Sequence, residues 1–451
     1  MKSINKTALA ALLALSSAGL ASAQTYHVTG STAYRVADVT AEVAVCGGAT
    51  AKATYYGSSL TGANYSVVTN SSGSIKFENF FNGSIAGDQA LVKPIALTFP
   101  TATDFPPTTI STAGSNTVAA NGGTIKAAPD NGTLVGSPYA TETVAPDLSF
   151  SDVSFATAQQ IIKAAVPPTN NSPAGSVIVG IVPFVFVANG SSDVTSKLTG
   201  LSMDAQKFTY GWSSIGSEKL SFFTGSNADE AITVFPLGRD VDSGTRATAL
   251  AETGYTLNGS GSSTVTQPVV QYYPYATQTA ADNNTLDGVV GLDAQLTSPT
   301  IGALNFVPAE TVDGYFMDTG DGGYLSGGNL ATGMSTAFSG VTNTAVVTYL
   351  GVSDAKAALT ASGTNRQAAK LMAYNGITFD PTVNSAANSS KIYEGQYTFW
   401  GYENLFYKSG FSGIAGQLQT ALIGGLDQLS STGVTFAGMK VNRADDGLNV
   451  Q

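Results

Sequence analysis

Apolar positions along the chain change period several times, and each change marks an element. The run His27-Val28-Thr29-Gly30 reads as a strand, after which Val36, Val39 and Val43 recur at helical spacing until Gly47-Gly48 stops them. Ser31 or Thr32 is placed to cap that helix. A second strand, Ile232-Thr233-Val234-Phe235, precedes a helix expected from about Gly244 to Glu252 and ended by Gly254. A third unit joins Gly327-Gly328-Asn329 to a helical stretch at Met334 to Phe338 and then to the strand Ala345-Val346-Val347-Thr348-Tyr349. Ser412 caps a last helix, with Ile414, Leu418 and Leu422 on one face. Strands alternating with helices predict an α/β protein with a mainly parallel sheet.

Two stretches break this pattern. Residues 87–147 are rich in Thr, Pro, Ala and Gly, and residues 249–323 hold Gly-Ser runs and the aromatic patch Tyr272-Tyr273-Pro274-Tyr275. Both read as long loops or β-hairpins inserted on the α/β frame. The apolar run Val177 to Ala188 contains Pro183 and is too short to span a bilayer, so it reads as a buried strand. At the N-terminus, Lys2 and Lys6 precede the apolar run Ala8 to Leu20 and the small-residue site Ala21-Ser22-Ala23. That is the pattern of a secretory signal peptide over residues 1–23, which predicts an exported, periplasmic protein. Secretion or display at the cell surface fits the same signal.

Composition narrows the function. Only 11% of residues are charged while 43% are apolar, against about 25% charged in an ordinary soluble protein. The surface is therefore built from Ser, Thr, Asn and Gly. A net charge of −11 argues against nucleic acid and against anionic lipid as partners. One cysteine and one histidine, His27, argue against a disulfide framework, most metal sites and a Ser-His-Asp triad. No metal and no cofactor are expected, and His27 reads as an ordinary strand residue. Gly83-Ser84-Ile85-Ala86-Gly87 lacks the spacing of a nucleophile elbow, so an enzyme is not expected. The acidic run Asp318-Thr319-Gly320-Asp321-Gly322 lacks the later glutamate of a calcium loop and reads as a turn.

The chemistry sits at helix starts. The first turn of a helix exposes unpaired N–H groups and partial positive charge, which attract anions. Arg239-x-x-x-Ser243-Gly244-Thr245 adds a guanidinium to such a turn, and two of the chain's five arginines, Arg239 and Arg246, flank it. Arginine binds an oxyanion through two parallel hydrogen bonds, which lysine cannot.

In its motif order the chain resembles the periplasmic phosphate-binding proteins of ABC transporters, members of the type II periplasmic-binding-protein superfamily. The likeness runs from Gly30-Ser31-Thr32-Ala33-Tyr34 through Gly83 to Gly87 and Asp147-Leu148-Ser149-Phe150-Ser151-Asp152. It continues through Val177 to Gly190, Leu198 to Trp212, Arg239 to Thr245, Gly327 to Tyr349 and Tyr397 to Tyr407. The resemblance implies two α/β lobes, residues 24–183 plus 395–451 and residues 184–394, with an anion in the cleft between them. The chain would cross near Val182 to Val185 and near Tyr393. It also implies that Thr32, Ala33, Ser84, Asp152, Arg239, Ser243, Gly244 and Thr245 hold the ligand. The implied protein is a monomeric receptor that captures phosphate or a similar oxyanion for an ABC transporter permease. An ionised Asp152 can only accept hydrogen bonds, so it would favour hydrogen phosphate, which keeps an O–H, over sulfate. One position departs from the family, which carries Asp two residues after the arginine where this chain has Val241. The alternative is a surface or secreted interaction protein on the same fold, with a changed or lost ligand.

Overall fold

The fold is given by a computed structural model describing residues 23–56, 60, 63–93, 95–101, 108–109, 141–165, 172–212, 217–240, 243–255, 269, 271–273, 305–306, 311–312, 315–316, 324, 326–338, 342–364, 366–423 and 434–451. Residues 1–22 of the expected signal segment, Val241, Asp242, the acidic run 318–322 and most of both expected insertions lie outside these residues.

The first half of the chain supplies strands β1 (Gln24–Gly30), β2 (Lys52–Tyr56), β3 (Tyr65–Thr69), β4 (Ile75–Phe80), β5 (Leu97–Pro100), β6 (Thr108–Thr109), β7 (Thr141–Val144), β8 (Leu148–Ser151) and β9 (Gly175–Gly190). Its helices are α1 (Arg35–Val45), α2 (Ser84–Val92) and α3 (Phe155–Ala165). The second half supplies β10 (Ser202–Met203), β11 (Glu218–Lys219), β12 (Thr233–Pro236), β13 (Tyr272–Tyr273), β14 (Asn305–Phe306), β15 (Thr311–Val312), β16 (Tyr315–Phe316), β17 (Thr344–Gly351), β18 (Lys370–Leu371), β19 (Ala373–Tyr374) and β20 (Trp400–Tyr407). Its helices are α4 (Ala205–Trp212), α5 (Leu220–Thr224), α6 (Gly244–Thr253), α7 (Gly327–Met334), α8 (Val352–Leu359), α9 (Ala386–Tyr393) and α10 (Ser412–Ile423). No described helix is long and apolar enough to cross a membrane.

The protein is mixed α/β. Its main sheet has twelve strands in the order β11-β12-β17-β9-β20-β8-β1-β4-β3-β2-β6, with β18 added on β9. Parallel pairing is confined to β1 with β4 and β8 and to β12 with β17, and the other ladders of that sheet are antiparallel. The expectation of a mainly parallel sheet is therefore wrong. The turn 70–74 shows why at one point. Asn70 Oδ1 accepts from Ile75 N–H and its amide reaches Ser74 Oγ at 2.9 Å, so a tight turn forces β3 and β4 into a hairpin.

β9 is the apolar run anticipated from the sequence, and it serves both ends of the sheet. Gly175 to Pro183 pair with β20, and Phe184 to Gly190 pair with β17. Its residues from Val179 onward are buried, which suits a strand covered on both faces.

Two helices differ from expectation. α1 starts after Tyr34, which occupies the N-cap position and makes no side-chain cap; Ser31 and Thr32 lie before that position, and neither caps the helix. Its buried face carries Val39 and Val43 as the spacing predicts, and also Asp38 and Glu42. α7 begins at the glycines themselves, capped by Ser326, and ends at Met334 where a helix was expected to begin. α6 matches its expected span, with Gly254 left-handed after it; α10 buries Ile414, Leu418 and Leu422 as expected, with Ser412 as its first helical residue and not its cap.

The C-terminal tail ties distant parts together. Arg443 lies over the Trp400 ring at 4.4 Å and pairs with Glu252 of α6 at 3.0 Å, both side chains buried. Asp446 Oδ2 accepts Ser154 N–H at 2.7 Å in front of α3. Burial raises the Asp446 carboxyl to about 6, with neighbouring Asp445 adding to the shift. A carboxyl raised on folding contributes stability that is complete below its unfolded value near 4 and is lost as pH climbs through the folded value. Stability to urea should therefore decline between about pH 4 and pH 6, and Asp446→Asn should flatten that decline by at most about 2–3 kcal/mol. Denaturation of wild type and variant across that window checks it, and identical slopes would refute the assignment.

Candidate functional site

Three chain segments meet where β1 and β8 end and α2 begins, and glycine makes the meeting close. Gly30 sits at φ +111° with its backbone against Phe150, and Gly87 of α2 packs directly on Gly30. Gly83 N–H donates to Gly30 O at 2.9 Å, which starts α2 at Ser84. Beneath, Ser149 and Ser151 of β8 donate to the two oxygens of Asp88 at 2.9 and 2.8 Å. This fastens α2 to β8 and fixes Ser84 beside Asp152. The Ser84 hydroxyl donates to Asp152 Oδ1, and Asp152 N–H donates to Ser84 Oγ at 3.3 Å.

The second half of the chain brings α6 onto the same carboxylate. Thr245 Oγ1 donates to Asp152 Oδ2 at 3.1 Å. A Cβ added at Gly244 would lie 1.7 Å from Asp152 Oδ1 and 2.6 Å from Ser84 Oγ, so only glycine lets the helix start come this near. Ser243 spends its hydroxyl as the N-cap of α6, accepting Arg246 N–H at 3.2 Å. Asp152 is 1% exposed. Burial pushes its carboxyl above the usual range, while Ser84, Arg239 and Thr245 pull the other way.

Arg239 is wholly enclosed and held along its length. Its Nε donates to Tyr324 O at 2.9 Å, its backbone N–H to Tyr349 OH at 3.2 Å, and its backbone O accepts from Gln271 Nε2 at 3.0 Å. Asp354 of α8 also feels this guanidinium. Burial raises its carboxyl, and Arg35 and then Arg239 oppose the rise. Gly327 is the contact point, since a Cβ there would meet Asp354 Oδ2 at 1.9 Å and Arg239 Nη1 at 3.5 Å.

Of the expected site residues, the structure joins Ser84, Asp152, Gly244 and Thr245 in direct contact, with Arg239 acting on Asp152 electrostatically and Ser243 in the cap behind them. Thr32 and Ala33 stand to one side. Thr32 O accepts from Arg35 Nε at 2.7 Å, and Ala33 lies against Gly351 at the start of α8. Sequence reasoning missed Asp354, Tyr324 and Arg35. Arg35 directly follows the Gly30–Tyr34 turn and was within reach; the other two come from distant elements with no motif around them. Alongside opens a cavity of about 590 Å³ whose walls include Arg35, Ser326, Asp354, Lys356 and Arg366.

The arrangement gathers donors around one internal acid. Two hydroxyl donors and a helix N-terminus close on one buried carboxylate, with a guanidinium acting on it.

No family model matches the chain, and no curated protein matches it. Among solved structures it is similar to one from Clostridium perfringens named as a phosphate ABC transporter substrate-binding protein with bound phosphate, at 9% identity, covering 91% of this chain and 98% of that chain with a TM-score of 0.41. It is also similar to an ABC-type phosphate transport receptor from Vibrio cholerae, at 11% identity, covering 88% and 93% with a TM-score of 0.37.

The closeness of α6 to Asp152 gives a direct test. Gly244→Ala should destabilise the protein by about 1–3 kcal/mol, the cost of overpacking a tight contact. Gly416→Ala in α10, where a Cβ meets nothing within 4 Å, should instead stabilise by up to about 1 kcal/mol. Calorimetric melting of both variants compares the two signs, and a neutral Gly244→Ala would show that the helix start does not press on Asp152.

Proposed function

We propose that the protein is an exported solute-binding protein that takes a tetrahedral oxyanion, phosphate first, between two lobes formed by residues 24–183 plus 395–451 and by residues 184–394. One observation carries the reading. Ser84, Gly244, Thr245 and Arg239 already surround an oxyanion, the carboxylate of Asp152. Groups arranged to satisfy one buried oxyanion suit a second one entering beside it.

In this reading Ser84 and Thr245 turn their hydroxyls from Asp152 to the ligand, and the Gly244 and Thr245 N–H groups of the helix start face it. Arg239 supplies charge, and Asp152 accepts the ligand's O–H. Thr32 and Ala33 would close the near side. Asp354 does for Arg239 what the family's aspartate does from the position of Val241, since it lies beside Gly327 with Arg239 Nη1. The partner would be an ABC transporter permease, and the role one of capture, not catalysis.

A second reading has its own support. Asp152 touches the helix start directly, as it would in a protein that kept the fold and gave up its ligand.

Calorimetric titration separates the two. Phosphate should bind at one site, and Arg239→Ala should weaken it at least tenfold, in line with about 2–5 kcal/mol for a desolvated charge pair that loses one partner. Arg239→Lys, which keeps the charge without the two-pronged contact, should recover only part. No phosphate binding to chelator- and phosphate-stripped wild type would favour the second reading. Asp152→Asn replaces an acceptor by a donor of nearly the same shape, so the preference for phosphate over sulfate should fall, while Asp147→Asn leaves it unchanged. An unaltered ratio in Asp152→Asn would remove Asp152 from ligand selection.

A further inference from the structure

We propose that His27, Glu78 and Glu142 form a binding site for one divalent metal ion of the zinc class, with Asp147 orienting the imidazole. This is separate from the proposed oxyanion site and does not rest on it.

The main sheet builds two thirds of the site. β1 and β4 pair in parallel with His27 directly opposite Glu78, so both side chains stand on one face as neighbours. The β5–β7 hairpin lies across that face. It brings Phe99 to 5.1 Å from the imidazole ring and places Glu142 Oε1 2.8 Å from His27 Nε2. Glu78 Oε2 lies 3.9 Å from the same nitrogen. The three ligand atoms all fall within 4.8 Å of one another. A tetrahedral ion with bonds near 2.0–2.2 Å holds its ligands about 3.3 Å apart, and the two distances from Nε2 bracket that value.

The imidazole is prepared for the task by its other side. Asp147 Oδ2 accepts both the His27 backbone N–H at 3.0 Å and Nδ1 at 3.2 Å, and Asp147 N–H donates back to His27 O at 2.8 Å. A carboxylate at Nδ1 keeps the proton there and leaves the Nε2 lone pair toward Glu78 and Glu142. This carboxylate–histidine relay is the support that metal-ligating histidines use.

Charge and burial agree. His27 is 9% exposed and Glu78 3%, so two carboxylates and an imidazole converge where water screens little. A proton on His27 offsets one negative charge, and Lys76 acts on Glu142 from nearby. A divalent ion offsets both carboxylates. The Glu142 side chain is 44% exposed and leaves a path from solvent. One nitrogen with two carboxylate oxygens suits zinc or a neighbouring transition ion better than calcium or magnesium, which take oxygen donors in larger number. Three protein ligands leave a position for water. The bound ion would pin the paired strands β5 and β7 to β1 and β4.

The test uses the full chain stripped with chelator and titrated with zinc at neutral pH by calorimetry. One zinc per chain is expected, with a rise in melting temperature. Glu142→Gln, at the half-exposed position, should bind zinc about 10–100-fold more weakly while melting like wild type without metal. Asp147→Asn should show a loss of about the same size, the range for removing an outer partner of a ligating histidine. His27→Gln should abolish the site, and zinc-edge absorption on wild type should show one nitrogen among oxygen ligands. Equal zinc affinity in wild type and Glu142→Gln, or no binding at micromolar zinc, would overturn the proposal and leave the cluster held by a proton.

Discussion

A carboxylate with 1% exposure has to be compensated within the protein, and Asp152 draws its compensation from both halves of the chain. Ser84 comes from α2 and Thr245 and Gly244 from α6, while Arg239 acts from the turn after β12. Removing an ionised group from water costs far more than any one hydrogen bond returns, so these donors must arrive together. The glycines at 30, 87 and 244 follow from that requirement, because each removes a side chain from a place where backbone must approach backbone or carboxylate.

The same neighbourhood holds further acids. Glu403 is buried beside Asp152, Asp88 and Asp38, and burial first, then those neighbours, raises its carboxyl well above the usual range. Asp88 and Asp38 are raised by burial as well. Each is thereby favoured in the protonated form, in which a carboxyl can donate as well as accept. A chain with only 11% charged residues has placed several of its acids in its interior. This leaves the surface to hydroxyls and amides.

Much of this could be read from sequence where residues near in the chain do the work together. The turn from Arg239 to Thr245, the start of α2 at Ser84 and the end of β8 at Asp152 are short, ordered motifs, and the structure sets four of those residues against one another. Pairing direction was less legible: alternation suggests parallel strands, but tight turns and the return of β20 between β8 and β9 impose antiparallel ladders. α1 misled differently, because a helical period in valine says nothing of Asp38 and Glu42 on the same face. Asp354 and the group around His27 were invisible for one reason. Their members are far apart in the chain and meet only through the register of β1 with β4, the β5–β7 hairpin, or the packing of α8 on α7.

β9 has a mechanical consequence. Its partner changes from β20 to β17 between Pro183 and Phe184, within one unbroken strand. Proline has no N–H to give, so the ladder is thinned at this joint without leaving a donor stranded. Phe184 N–H crosses to Phe399 O at 3.0 Å, beside the start of β20. Two halves joined this way resemble the ends of a single beam more than leaves on a pin. Motion of the proposed lobes would be torsion spread along β9 and β20, with a restoring force throughout, and its amplitude would be set by how far a hydrogen-bonded ribbon can be twisted.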